Sequence, residues 1–164
     1  MSKTKKLTVA ALFVAIGLLT GTLIYIPIGA SKCFPVQHAI NVMCAVFLGP
    51  AYSLLTSFCI SLGRNLLGTG SIMAFPGSMV GALLSSVVYC LTKSKLGAAI
   101  GEVVGTGVLG GLLCVPISKF LLGTEVGALA YVIPFFISSA GGAIVGFLIV
   151  KSTEILRLSK RLKQ

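Results

Sequence analysis

Long apolar stretches alternate with short polar breaks along this chain, and the spacing predicts a bundle of helices. Leu7 to Ile28 is apolar and uncharged over a length sufficient to cross a bilayer. A polar island follows, Gly29-Ala30-Ser31-Lys32-Cys33-Phe34-Pro35-Val36-Gln37-His38-Ala39-Ile40-Asn41, and the chain turns apolar again through Val42 to Leu48. Further helices are expected over about Gln37 to Leu48, Ala51 to Leu67, Phe75 to Thr92, Leu96 to Leu122 and Gly127 to Val150. Gly49-Pro50, Gly68-Thr69-Gly70-Ser71, Lys93-Ser94-Lys95 and Gly123-Thr124-Glu125 mark the connections. Pro76 suits a first helical turn, whereas Pro134 inside the sixth helix is expected to bend it. The second helix is short, about 12 residues or ~18 Å. It is therefore expected to start deep in the bundle, with a cavity at its mouth.

Composition sharpens the picture. The chain is 56% hydrophobic and 10% charged over 164 residues, with a mean hydropathy of +1.07. So few charges cannot cover a soluble domain of this size. The expectation is an all-α integral membrane protein, a single domain spanning residues 1–164. At about 20 residues per span, six transmembrane helices fill it as one compact bundle. The net charge of +10 is concentrated: ten of the thirteen basic residues lie in the N-terminal segment, the Lys93/Lys95 loop and the C-terminal tail. Six spans bring all three to one side, and by the positive-inside rule that side is cytoplasmic. Both termini are expected there. A basic stripe interleaved with aromatics, as nucleic-acid binding requires, is missing, so the charge is read as topology and contact with membrane lipid. Although Lys-rich residues precede an apolar run, no A-x-A site follows, and the run is read as a retained first helix.

Much catalytic chemistry is excluded. There is one His, no Asp, and only Glu102, Glu125 and Glu154 as acids, and no P-loop occurs. The chain reads as no enzyme, and no cofactor is implied. Cys33 and His38 are two possible metal ligands without a second pair, so no metal site is assigned. The remaining cysteines are read as small hydrophobes. Glycines at four-residue spacing (Gly17/Gly21, Gly77/Gly81, Gly101/Gly105, Gly107/Gly111 and Gly142/Gly146) are expected to let helices approach closely within the bundle.

What remains is a binding site. A polar side chain within an apolar bundle faces protein, water or ligand, because hydrocarbon offers no hydrogen-bond partner. Gln37, His38 and Asn41 at the start of the second helix are candidate substrate ligands, with His38 and Asn41 on one face. Arg64 and Asn65 end the third helix on the same side, where Arg64 either snorkels or walls the pocket. Lys32 in the first outer loop, Tyr131 and Ser139 on the sixth helix, with Ser138, and the membrane-embedded Glu102 complete the set. Phe34, Phe75 and Phe135 are candidate aromatic walls. A small stand-alone channel or secondary transporter fits these features as well.

The island, together with Arg64-Asn65-Leu66-Leu67-Gly68-Thr69-Gly70-Ser71 and Ala74-Phe75-Pro76-Gly77-Ser78-Met79, resembles the ThiW family. That family comprises thiazole-type substrate-binding S components of energy-coupling-factor (ECF) vitamin transporters. The likeness extends through Gly101 to Gly107 and Val132 to Ser139. The resemblance implies capture of a thiamin precursor, hydroxyethylthiazole, or alternatively of another small vitamin or precursor, on the outer side of a bacterial or archaeal plasma membrane. A transmembrane coupling subunit and two ATPase subunits would supply the work. S components carry an Ala-x-x-x-Ala pair on the first helix that docks on the coupling subunit, and Ala11 and Ala15 match it.

Overall fold

The computed structural model describes residues 1–28, 31–125 and 127–162. Helices α1 (Lys3–Leu23), α2 (Pro35–Phe47), α3 (Pro50–Leu66) and α4 (Ala74–Thr92) are followed by a long composite rod. The rod comprises α5 (Lys95–Glu102), a π-helical stretch (Val103–Gly110) and α6 (Gly111–Leu122). Helix α7 (Leu129–Leu162) closes the bundle. Among the described residues the six expected helical segments are present, and four are long and apolar enough to cross a membrane.

Three features differ from expectation. The first helix stops at Leu23, and Ile26–Ile28 (β1) pairs antiparallel with Ser31–Cys33 (β2). The run Ile24-Tyr25-Ile26 before Pro27 explains this. Branched and aromatic residues favour extended backbone, and the residue preceding proline is pushed out of the α region. Within the polar island, residues 31–41 thus form one strand and the first turns of α2. At the other end α7 runs on through the basic segment to Leu162, because Lys, Glu, Leu and Arg favour helix and no Gly or Pro interrupts them after Gly146. The fifth span contains the π-helical stretch, where one extra residue per turn re-aims the side chains that follow.

Large hydrophobics such as Leu12, Leu19, Leu91, Phe120, Ile144 and Leu148 point outward. The buried interior holds as many polar as apolar side chains among the described residues. This inverts the distribution of a soluble domain. Helix α2 is the centrepiece, with Gln37 to Val42 all buried and α7, α4 and α3 packed around it. At its C-terminal end Lys6 Nζ donates to the Leu48 carbonyl at 2.9 Å, matching a cation to the negative helix terminus. Gly49 then turns with φ 87° before Pro50 opens α3, a backbone geometry that favours glycine.

Close approach depends on the spaced glycines. A Cβ on Gly105 would lie 2.7 Å from the Gly81 Cα, and one on Gly110 2.6 Å from the Gly77 Cα. Here α4 and the π-helical stretch meet backbone to backbone. A Cβ on Gly142 would strike the Pro35 carbonyl and lie 2.6 Å from the His38 Cβ, whereas one on neighbouring Gly141 would meet nothing within 4 Å. Gly142→Ala is therefore expected to lower stability by roughly 1–3 kcal/mol through overpacking. Gly141→Ala should be neutral or mildly stabilising. Thermal unfolding of the two variants in detergent checks the contrast.

Candidate functional site

The chain opens a cavity of about 310 Å³ where the starts of α2, α4 and α7 meet the end of α3. Helix α4 runs from this cavity to Lys93, and α2 from it to the Leu48–Lys6 contact. Lys6 and Lys93 thus lie at the end of the bundle opposite the cavity. Phe34 and Phe135 provide aromatic wall, and Gln37, His38, Arg64 and Tyr131 are the expected residues that line it. Thr69 to Ser71, Ser78, Thr106 and Ser138 also contribute.

Two hydrogen-bonded groups build the polar lining. In the first, the Arg64 guanidinium carbon lies 3.5 Å from the centroid of the Phe34 ring, a cation–π contact strengthened by removal from water. Arg64 Nη1 donates to Gln37 Oε1 at 2.6 Å and Nη2 to the Thr69 carbonyl at 3.2 Å. Gln37 Nε2 donates onward to Ser78 Oγ at 2.8 Å and Ser61 Oγ at 3.1 Å, and Ser78 Oγ meets Ser57 Oγ. One glutamine thereby links α2, α3 and α4. In the second group, Glu102 Oε1 receives His38 Nδ1 at 2.8 Å, Thr106 Oγ1 at 2.9 Å and Asn41 Nδ2 at 3.0 Å. His38 Nε2 has no hydrogen bond to the described residues, so it is the imidazole atom left for a ligand.

The remaining expected residues sit apart from the cavity wall. Asn41 and Glu102 lie behind His38, fully buried. Asn65 Nδ2 donates to the Ser61 and Ser71 carbonyls and ties the loop after α3 to its helix. Ser139 Oγ, on the residue after the lining Ser138, turns back to the Phe136 carbonyl at 3.2 Å. Ser138 Oγ accepts from the Phe34 N–H at 2.8 Å. Phe75 packs on Phe58, ring centroids 5.7 Å apart, rather than lining the cavity. The Lys32 side chain lies outside the described residues. Cys33 is buried and donates to the Pro134 carbonyl at 3.2 Å. Burial pushes its thiol pKa up, and the hydrogen bond with Ser138 works against that shift. Among the described residues no group of three or more His, Cys, Asp or Glu is placed to hold a metal ion. Ala11 and Ala15 lie exposed on α1.

Sequence reasoning missed Thr106 and the Thr69–Ser71 loop. Thr106 follows Glu102 by four residues, a spacing that brings side chains together on a helix, and that was the available signal.

The chain matches the family described as thiamine-precursor transporter protein (ThiW) over residues 7–155. It belongs to the ThiW family. This makes it a transporter rather than an enzyme, and its apolar helices are those of a multi-pass membrane protein. A solved structure described as the S component of a bacterial ECF transporter has the same fold. The two superpose with a TM-score of 0.67 at 19% identity, over 99% of this chain and 100% of that one. No curated protein matches. In this ThiW chain the Gln37 hub has a measurable role: Gln37→Ala removes the charge-assisted partner of Arg64 and the amide donor shared by Ser61 and Ser78. Unfolding in detergent without ligand should show a loss of roughly 1–3 kcal/mol.

Proposed function

We propose that this chain is the substrate-binding S component of an ECF-type transporter and captures hydroxyethylthiazole from outside the cell. The observation that supports this best is the cavity itself. Its volume is at the small end of the roughly 300–1,000 Å³ of small-molecule sites, and such sites combine apolar walls with few placed polar groups. Phe34 and Phe135 suit a flat heteroaromatic ring, and the free His38 nitrogen suits a hydroxyl. Of the expected ligands, Gln37, His38, Arg64 and Tyr131 then face substrate. Asn41, Glu102 and Asn65 act through the residues they hold.

Because basic residues favour the cytoplasmic face, both termini and the Lys93/Lys95 loop lie inside and the cavity opens outside. With no P-loop in the sequence, ATP hydrolysis belongs to two partner ATPase subunits acting through a transmembrane coupling subunit. Ala11 and Ala15, small and exposed on α1, offer that subunit a surface for close helix packing.

Purified chain in detergent should bind hydroxyethylthiazole without ATP, as calorimetry would show. His38→Ala should weaken binding by roughly 1–3 kcal/mol, whereas Lys93→Ala at the far end should leave it unchanged. No heat with any thiamin-precursor ligand, or the reverse pattern in the variants, contradicts the reading. Replacing Ala11 and Ala15 by Leu should spare binding yet reduce ATP-driven uptake in reconstituted vesicles. Loss of both activities together would place the pair inside the bundle instead. Accumulation of substrate by vesicles carrying this chain alone would favour a self-contained transporter.

A further inference from the structure

We propose that Glu102 is a positioning residue that fixes the tautomer of His38, so that the cavity selects a ligand donating a hydrogen bond, an alcohol. The inference rests on the substrate-binding reading above and deepens it. Three side chains converge on one oxygen, Glu102 Oε1: His38 Nδ1 at 2.8 Å, Thr106 Oγ1 at 2.9 Å and Asn41 Nδ2 at 3.0 Å. The orientation of the Asn41 amide follows from its second contact, since Nδ2 also donates to the Ser78 carbonyl at 3.2 Å. A flipped amide would set its oxygen against two acceptors. With Asn41 donating to Oε1, any proton on the carboxyl group belongs on Oε2, which has no partner among the described residues. Oε1 therefore accepts from His38 Nδ1 whether Glu102 is ionised or neutral.

A neutral imidazole with its proton on Nδ1 presents Nε2 as an acceptor. The ring has little freedom to present anything else. Gly142 packs against the His38 Cβ on one side, and the fully buried Glu102 holds Nδ1 on the other. His38 itself lines the cavity. A ligand hydroxyl satisfies this acceptor. An ether oxygen at the same place faces it with a second acceptor and leaves both unpaired.

The chain has a single histidine, so labelling with ¹⁵N-histidine gives one unambiguous pair of ring resonances. At a pH where one ring nitrogen is protonated, the ligand-free protein should carry that proton on Nδ1. Hydroxyethylthiazole should bind roughly tenfold or more tighter than its O-methyl ether, the cost of an unpaired acceptor. Glu102→Gln retains an acceptor oxygen for all three donors and should keep both properties. Glu102→Leu should move the proton to Nε2 and bring the alcohol-to-ether ratio towards one. A proton on Nε2 in the unaltered protein, or equal binding of the two probes to it, overturns the proposal. If the leucine variant does not fold, the unaltered protein and Glu102→Gln still decide. Should neither probe bind, the hydroxyethylthiazole reading falls, and the position of the ring proton alone settles the role of Glu102.

Discussion

The structure depends on where a buried carboxyl group can find partners. Glu102 has no exposed surface and sits in the interior of a bundle whose outer face is apolar. A carboxylate stranded in such a place is costly, and it persists only where hydrogen-bond donors are fixed around it. Here α2 brings His38 and Asn41, and the π-helical stretch brings Thr106. These contacts set the rotation of α2 about its axis. That rotation in turn aims Gln37 at Arg64 and Ser78, and His38 at the cavity. The packing and the site are thus one arrangement.

Glycine makes the arrangement reachable. Helix α4 crosses the π-helical stretch at backbone contact, Gly81 on Gly105 and Gly77 on Gly110, and a Cβ on Gly81 would strike the Thr106 hydroxyl and crowd the Glu102 carboxyl group. Gly142 lets α7 close over the start of α2 in the same way. In an apolar solvent the hydrophobic effect does not drive helices together, so close packing and interior hydrogen bonds carry the association. The polar interior therefore has a structural role of its own before any ligand enters. It also explains why the polar residues divide into those that line the cavity and those that hold the lining in place.

Much of this was legible in the sequence. The six helical segments follow from apolar runs, and the central site follows from the polar start of an otherwise apolar second helix. The glycine pairs mark the packing faces. What escaped has physical reasons. The strand Ile26–Ile28 is as apolar as the helix before it, so only Pro27 and the branched residues around it signal the change. The helical state of the basic segment was hidden because charge marks a membrane boundary without ending a helix. The contact of Glu102 with His38 could not be read from position along its own helix, because His38 lies 64 residues away and meets it only through the crossing of α2 and the fifth span.

The most direct test of the account is a structure of the chain determined with hydroxyethylthiazole bound. The ring should lie between Phe34 and Phe135, its hydroxyl within hydrogen-bond distance of His38 Nε2, with Glu102 Oε1 still holding Nδ1. Ligand at the Lys93 end of the bundle, or bound with Glu102 turned away from His38, would contradict it.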